Sequence, residues 1–230
     1  MRRWIKSANL AIEGILHGTK TQRHLRYHFL SAAFILILSY ALGISRNDFL
    51  VIALAVIVVL LAELLNTAIE AMVDLVSPEH SEKAKIAKDV AAGAVLTTAF
   101  GAAMIGYIVL LPYIREVMEG GFHIAKHSVE EISVMAVTLV LILVVVAKAH
   151  FGKGTPLRGG IPSGHSALAF SIWVVVIYTT GNLIASAACF VLAALVAASR
   201  VVSKIHTPLE VIMGGLMGAL LTLVLFALFS

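Results

Sequence analysis

Long apolar runs alternate with short polar segments along the chain. They predict seven membrane-crossing helices, at about residues 29–43, 48–73, 90–111, 131–148, 165–181, 183–198 and 209–229. A bilayer core requires about 20 apolar residues per helix, so the shorter runs extend into their polar neighbours. The first 28 residues instead intersperse basic with apolar side chains, which is typical of an amphipathic helix on the membrane surface. We therefore expect an all-α, polytopic membrane protein.

The composition supports this interpretation. Hydrophobic residues make up 60% of the chain and charged residues 13%, whereas a soluble domain has about 25% charged residues. The net charge of +4 comes from lysines and arginines in short loops, so we expect no nucleic-acid partner. The polar segment 112–130 predicts a connection between two domains, residues 1–111 with three spans and residues 131–230 with four.

Loop charge predicts the orientation. The loops at 148–163 and 199–208 contain lysine and arginine but no acid, which places them and the N-terminus in the cytoplasm.

An unusual polar stripe lies at the end of the second predicted span. On a helix, Glu63, Asn66, Glu70 and Asp74 fall on one face. Ionisable groups at membrane depth are costly and need a partner or a task. The stripe could hold helices together by hydrogen bonds, or line an ion path in a transporter. Alternatively, a divalent cation could relieve the repulsion between the acids and bind phosphates, with one remaining carboxylate as a general base.

The segments at 8–14, 26–28, 63–74 and 85–96 together resemble the bacterial diacylglycerol kinase / undecaprenol kinase family. The resemblance covers about residues 1–111. It implies a three-span lipid kinase of the bacterial inner membrane that uses ATP and Mg²⁺ and acts as a homotrimer with shared active sites.

The resemblance also implies residue roles in the kinase. Glu63 would be the catalytic base, Asn66 would orient the substrate, and Glu70 would bind Mg²⁺. Contacts with ATP would come from Arg3, Glu70, Lys88 and Asp89. The sequence departs from the family at Gln22, where the family has a glutamate that helps to hold the metal. An amide is a weaker Mg²⁺ ligand than a carboxylate.

A second set of polar residues lies in the C-terminal half. Ser163 and Gly164 can open a helix whose N–H groups bind anions, and His165 follows them. Further on, His206 and Glu210 stand four residues apart, so Glu210 can orient the imidazole. With Arg200 and the upstream Lys148, Lys153 and Arg158, this set suits phosphoryl transfer through a phosphohistidine. The spacing is poor for a zinc site.

Residues 131–230 resemble the type 2 phosphatidic acid phosphatase family, through Pro162-Ser163-Gly164-His165 and Ser199-Arg200-x5-His206-x3-Glu210. The resemblance implies His206 as nucleophile, His165 as general acid and Glu210 as the residue that orients His206. The phosphate would be bound by Lys153, Arg158, Ser163, Gly164 and Arg200. The family has aspartate where this chain has Glu210, and its first motif is altered around Lys153 and Arg158. No cofactor is implied for this domain.

Two functional hypotheses follow. In the first, the kinase phosphorylates undecaprenol or diacylglycerol and the phosphatase acts on a lipid phosphate or diphosphate. Both sites are expected on the cytoplasmic face, unless segment 112–130 crosses the membrane, in which case the phosphatase site lies on the outer face. In the second, Gln22 has inactivated the kinase, which remains as a trimerisation scaffold for the phosphatase.

Overall fold

The computed structural model describes residues 2–77, 81–121, 124–151 and 160–230, and in this part of the chain it contains eight α-helices and no strand. The all-α prediction is confirmed. The helices are α1 (Arg2–Thr21), α2 (Arg23–Ala41), α3 (Arg46–Val76), α4 (Glu82–Gly120), α5 (Val129–Phe151), α6 (Gly164–Thr180), α7 (Leu183–Val202) and α8 (Pro208–Phe229).

Five of these helices, α3, α4, α5, α7 and α8, are long and apolar enough to cross a membrane. Helix α6 is apolar but has 17 residues. Helix α2 carries four basic or histidine residues near its start, which lower its hydropathy. The multi-pass architecture is therefore confirmed, and the count of seven spans stays a prediction. Large apolar side chains such as Leu54, Leu96 and Leu192 are exposed on these helices, as expected for contact with lipid.

Helix boundaries follow from local hydrogen bonds. The Ser45 hydroxyl accepts from the backbone N–H of Asp48 at the start of α3, and Ser81 caps α4 in the same way. At the start of α8, Thr207 and Glu210 form a capping box. Helix α6 ends at Gly181, whose positive φ of 57° continues the chain in the left-handed region.

Helix α4 continues through Pro112 to Gly120, beyond the apolar run that the sequence predicts to end near residue 111. Beside Pro112, the Tyr113 hydroxyl donates to Asp48 Oδ2 at 2.6 Å and accepts from the Ser45 N–H at 3.0 Å. These bonds fasten the last turns of α4 to the start of α3, so the helix persists despite the proline. The chain leaves the helix at Gly121, within the predicted connecting segment 112–130, with φ of 84°.

The helices form two compact units. Residues Gln22–Ala125 form one, the three-helix unit with α2, α3 and α4. Residues Met1–Thr21 and Lys126–Ser230 form the other, the bundle unit, in which α1 packs against α5. The domain limits predicted from the sequence stay a prediction, and the structure adds that α1 groups with α5–α8.

Helices α6 and α8 meet along a seam of small residues in the bundle unit. A Cβ atom at Gly214 would lie 2.3 Å from the Ser163 carbonyl oxygen, and one at Gly218 would lie 1.9 Å from that of Ala167. Glycine lets the two backbones approach this closely, as in membrane helix pairs generally. The seam fixes the N-terminal end of α6 beside the N-terminal end of α8, where the histidine motifs lie.

Candidate active sites

The buried carboxylate of Glu63 is the centre of the first site, in the three-helix unit. Glu63 is 3% exposed, and its Oε1 lies 3.1 Å from His28 Nε2. His28 comes from α2, so this contact fixes the orientation of Glu63 across two helices. The sequence places His28 in the segment 26–28 that resembles the kinase family, but no role was predicted for it. A carboxylate buried in a helix bundle requires a polar partner, and a histidine in that segment was a candidate for this partner of Glu63.

Asn66 and Glu70 lie about one and two turns along α3 from Glu63, and Gln22, the residue before α2, lies against Glu70. Gln22 Nε2 donates to Glu70 Oε2 at 3.0 Å, and Asn66 Nδ2 donates to Glu70 Oε1 at 3.0 Å. The Asn66 Oδ1 atom is buried and has no hydrogen-bond partner within the described part of the chain. A buried acceptor without a donor is costly, so a cation or a hydroxyl at this position would stabilise it.

The oxygen atoms of this cluster fit Mg²⁺. The ion binds proteins through one or two carboxylates and completes its shell with water and phosphate oxygens. Glu70 supplies one carboxylate, and the buried Asn66 Oδ1 is a neutral oxygen that still lacks a partner. Gln22 directs its amide nitrogen toward Glu70, so its oxygen would have to turn toward the ion to act as a ligand. Within the described ranges, no group of three or more His, Cys, Asp or Glu side chains could hold a metal ion. These residues alone would therefore give Mg²⁺ too few ligands, and the remaining ligands would be phosphate oxygens of a bound substrate.

A pocket of about 490 Å³ lies between the end of α3 and the start of α4. Its lining includes four charged residues, Asp74, Lys85, Lys88 and Asp89. Lys88 Nζ and Asp74 Oδ1 form an ion pair at 2.5 Å, with Asp74 largely exposed. An exposed ion pair contributes about 0–1 kcal/mol, so Lys88 can exchange this partner for a phosphate. The predicted ATP contacts Lys88 and Asp89 thus share one pocket. The side chain of Arg3 lies outside the described residues.

An apolar groove of about 710 Å³ runs along α2, α3 and α4. His28 lines one end, and small residues including Ala55, Ala102 and Gly106 line the walls. Because His28 also contacts Glu63, the groove ends beside the buried carboxylate. This arrangement can hold a hydrocarbon chain with its polar end near Glu63.

The second site lies at one end of the bundle unit, around Glu210. Its Oε2 lies 2.8 Å from His206 Nδ1 and accepts the Thr207 N–H at 3.1 Å, while Oε1 accepts the Gly160 N–H at 2.9 Å. A carboxylate only accepts, so Nδ1 carries the proton and Nε2 keeps its lone pair. Glu210 thus sets both the tautomer and the direction of the His206 ring. The contribution of Gly160 was not predicted, because no sequence pattern signals it.

The His206 side chain is 2% exposed. Burial lowers the pKa of His206 below its usual value, and the positive charges of Lys148 and Arg200 act in the same direction. The Glu210 hydrogen bond acts in the opposite direction. The net effect keeps the imidazole neutral at neutral pH, the form that can attack phosphorus.

Cations and the second imidazole surround this pair. His165, in the first turn of α6, is within electrostatic range of Arg200, His206 and Lys148. Lys148 is 7% exposed at the end of α5 and also interacts with Glu210. The sequence analysis noted Lys148 as an upstream cation but assigned the phosphate-binding role to Lys153 and Arg158. Those two residues lie outside the described ranges.

Ser163 holds the N-terminus of α6 in place. It is fully buried, its N–H donates to the Glu210 carbonyl oxygen at 2.9 Å, and its hydroxyl accepts from Ser166 at 3.1 Å. Gly164 follows as the first residue of α6, so its N–H belongs to the helix end that binds anions. The predicted residues described in this half therefore converge on one end of the bundle.

Two protein families match this chain. Residues 9–110 match "Prokaryotic diacylglycerol kinase" and residues 145–230 match "PAP2 superfamily". An undecaprenol kinase of Bacillus subtilis is 38% identical over 112 residues, which are 49% of this chain and 91% of that protein. A diacylglycerol kinase of Synechocystis sp. is 37% identical over 122 residues, 50% of this chain and 70% of that protein. A diacylglycerol kinase of Haemophilus influenzae is 28% identical over 85 residues, 37% of this chain and 72% of that protein. No solved structure matches.

Proposed function

Because the chain belongs to the prokaryotic diacylglycerol kinase family and carries a PAP2 superfamily domain, we propose that it both adds phosphate to a lipid alcohol and removes phosphate from a lipid phosphate or diphosphate. The kinase reaction uses ATP in the three-helix unit, and the phosphatase reaction takes place in the bundle unit. The observation that carries the proposal is that each unit contains a carboxylate–histidine pair with one buried member, Glu63 with His28 and His206 with Glu210.

In the kinase, Glu63 accepts the proton of the lipid hydroxyl as its oxygen attacks the γ-phosphorus of ATP. His28 keeps the carboxylate aimed at that hydroxyl. Lys88 leaves Asp74 and binds the phosphates. Mg²⁺ neutralises phosphate charge when bound, and Glu70 with the amide oxygens of Gln22 and Asn66 would hold it. The γ-phosphorus bond to ADP breaks, and the products are a lipid phosphate and ADP.

In the phosphatase, His206 Nε2 attacks the terminal phosphorus. The bond from phosphorus to the leaving oxygen breaks, and His165 gives that oxygen a proton. Water then attacks the phosphorus of the phosphohistidine while neutral His165 takes one of its protons. The bond between phosphorus and His206 Nε2 breaks, so the imidazole is regenerated and inorganic phosphate leaves. Glu210 stabilises the positive imidazole, while Lys148, Arg200 and the start of α6 stabilise the phosphate charge. Lys153 and Arg158 remain further candidates for phosphate binding.

The apolar groove is proposed to hold the lipid chain of the kinase substrate. The hydroxyl group of a lipid whose polar end lay beside His28 would be next to Glu63. Undecaprenol and diacylglycerol are the two candidates, since the Bacillus subtilis relative bears the first name and the other two relatives the second. With undecaprenol, the kinase acting on the alcohol and the phosphatase acting on the diphosphate would both yield undecaprenyl phosphate.

The arrangement in the membrane is part of the proposal. If α4 and α5 each cross the membrane once, the end of α5 lies on the same side as the start of α4. Both sites then face the cytoplasm, provided that the N-terminus does. The loop charges favour this orientation in a bacterial inner membrane. A homotrimer is proposed by likeness to the kinase family.

A second candidate function is a phosphatase alone. The hydrogen bonds of Glu70 favour it, because both carboxylate oxygens already accept from neutral amides, those of Gln22 and Asn66. A carboxylate satisfied in this way does not require a metal ion. In that case the three-helix unit is a scaffold without kinase activity.

One experiment separates these functions. Detergent-purified protein is incubated with Mg²⁺-ATP and lipid alcohols, and separately with lipid phosphates and diphosphates. Wild type performs both conversions, Glu63→Ala loses only the first and His206→Ala loses only the second. Phosphatase activity without any ATP-dependent transfer would support the second candidate. If both variants kept both activities, the proposed function would be wrong.

A further inference from the structure

The chain just before α6 is fastened to the first turn of α8 by two hydrogen bonds that both end on Glu210. The Gly160 N–H donates to Glu210 Oε1 at 2.9 Å, and the Ser163 N–H donates to the Glu210 carbonyl oxygen at 2.9 Å. Gly160 and Ser163 are both buried. Segment 160–163 is therefore held at its two ends by one residue of another helix.

This segment leads directly into the residues that are proposed to bind phosphate. Gly164 opens α6, and His165 follows in the first turn. Behind the segment, Gly214 of α8 packs so closely on the Ser163 carbonyl oxygen that a Cβ atom would lie 2.3 Å from it. The place of the phosphate-binding residues relative to α8 thus depends on this packing and on the bonds to Glu210.

The same carboxylate holds the nucleophile through its other oxygen. Glu210 Oε2 lies 2.8 Å from His206 Nδ1 and accepts from the Thr207 N–H at 3.1 Å, while Oε1 accepts from Gly160. Gly160 reaches Oε1 with φ of 87°, a conformation that favours glycine. Each oxygen therefore serves a different side of the site.

This chain has Glu210 where the resembling phosphatase family has aspartate, and the additional methylene matters for the second contact. The carboxylate of an aspartate would lie about 1.5 Å nearer the α8 backbone, and an N–H···O bond is lost beyond about 3.2 Å. The first turn of α8 is fixed by its capping box and by the backbone bond from Ser163, so it cannot move to compensate. Building on the proposed phosphatase activity, we propose that Glu210 Oε1 positions segment 160–163, and with it the phosphate-binding start of α6, in addition to the orientation of His206.

The two tasks affect different kinetic constants. Orientation of His206 acts on the attack at phosphorus and therefore on kcat, whereas segment 160–163 acts on the binding of phosphate and therefore on KM. Glu210→Asp keeps the charge and the residue that the family uses beside its histidine, so it should remove the second task alone. With farnesyl monophosphate as substrate, KM and the inhibition constant of inorganic phosphate should each rise about tenfold and kcat should stay within about threefold, as expected for one lost hydrogen bond to a charged group.

Gly160→Ala tests the other partner of the bond, because alanine is strained at φ of 87°. It should raise KM and the phosphate inhibition constant in the same way. The double variant with Glu210→Asp should be no worse than either single change, since both remove one contact. Gly181→Ala is the matched control: it strains a glycine with φ of 57° at the other end of α6, and both constants should stay at the wild-type values.

Nuclear magnetic resonance of protein with isotopically labelled glycine observes the bond without turnover. The amide signal that disappears in Gly160→Ala belongs to Gly160, and it should move upfield in Glu210→Asp while the Gly181 signal stays in place. An unchanged KM and phosphate inhibition in Glu210→Asp, or additive effects in the double variant, would overturn the assignment. A fall in kcat at constant KM would do the same, because the carboxylate would then serve His206 alone. A wild-type protein that releases no phosphate would instead overturn the phosphatase itself, and the Gly160 signal would still test the bond.

Discussion

Replacing Glu210 with glutamine should separate the two tasks that this carboxylate performs on His206. The carboxylate accepts hydrogen bonds from His206 Nδ1, from the Thr207 N–H and from the Gly160 N–H, at 2.8, 3.1 and 2.9 Å. A glutamine has a single accepting oxygen, so it can serve one side of the site but not both. It also removes the negative charge that stabilises the imidazole as it becomes positive.

The expected loss follows from these contacts. A hydrogen bond to a charged group contributes about 1.5–3 kcal/mol, and one is lost in the variant, so the barrier should rise by about 1.5–3 kcal/mol. Because about 1.4 kcal/mol corresponds to a tenfold change in rate, kcat should fall by about 10–150-fold. The assay is phosphate release from a lipid phosphate, with ATP-dependent lipid phosphorylation measured in the same preparation.

The chain offers a matched control. His127 Nδ1 and Glu131 Oε2 form another pair with the same four-residue spacing, at 3.6 Å and with Glu131 half-exposed. Glu131→Gln should leave phosphatase kcat within about twofold of wild type. If Glu210→Gln did the same, while its kinase activity showed that it was folded, the assignment of Glu210 to the orientation of His206 would be refuted.

The pH dependence has a definite sign. Burial lowers the pKa of His206, so the neutral and reactive form persists as the pH falls through about 6.5, the usual value for histidine. The acid limb of the wild-type kcat/KM profile should therefore lie below that pH. Because Glu210 raises the pKa against the effect of burial, the limb should move to still lower pH in Glu210→Gln. A shift to higher pH would contradict this account.

Two further predictions concern the other unit and the helix seam. Gln22→Glu places a second carboxylate about 3 Å from Glu70. The Mg²⁺ concentration for half-maximal kinase activity should therefore fall about tenfold. An unchanged value, when Mg²⁺ is titrated in the kinase assay, would argue against a metal at this position. Gly218→Ala puts a Cβ against the Ala167 carbonyl oxygen, and such overpacking should destabilise the bundle by about 1–3 kcal/mol, seen as a lower thermal midpoint of phosphatase inactivation. Gly93→Ala, where a Cβ meets nothing within 4 Å, is its control and should be neutral or slightly stabilising.

Sequence reasoning predicted what depends on short-range patterns. Hydropathy gave the all-α membrane architecture, and helical spacing placed Asn66 and Glu70 on one helix face, where the structure shows a hydrogen bond between them. The four-residue spacing likewise predicted the bond between Glu210 and His206. These contacts lie within one helix or across one turn, where geometry is nearly independent of the rest of the fold.

Contacts between helices were harder to predict. The His28–Glu63 pair joins residues on different helices, and the burial of Lys148 depends on how α5 packs. Hydropathy assigns each helix to the membrane but not its rotation about its own axis, so it could not predict that the Lys148 side chain is buried. The close approach at Gly214 and Gly218 had a readable signal, a pair of glycines four residues apart within an apolar helix, which the sequence analysis did not use.

Because Met1–Thr21 packs with Lys126–Ser230, the bundle is assembled from two stretches of chain made at different times. A ribosome adds about 5–20 residues per second, so α1 emerges on the order of ten seconds before α5 and waits without its partner. During that delay its amphipathic surface is free to rest on the bilayer, and the intervening helices can insert first. A phosphatase fragment cut at residue 126 would therefore omit a piece of its own bundle, and cutting the gene between the two sequence families would not yield two self-sufficient proteins.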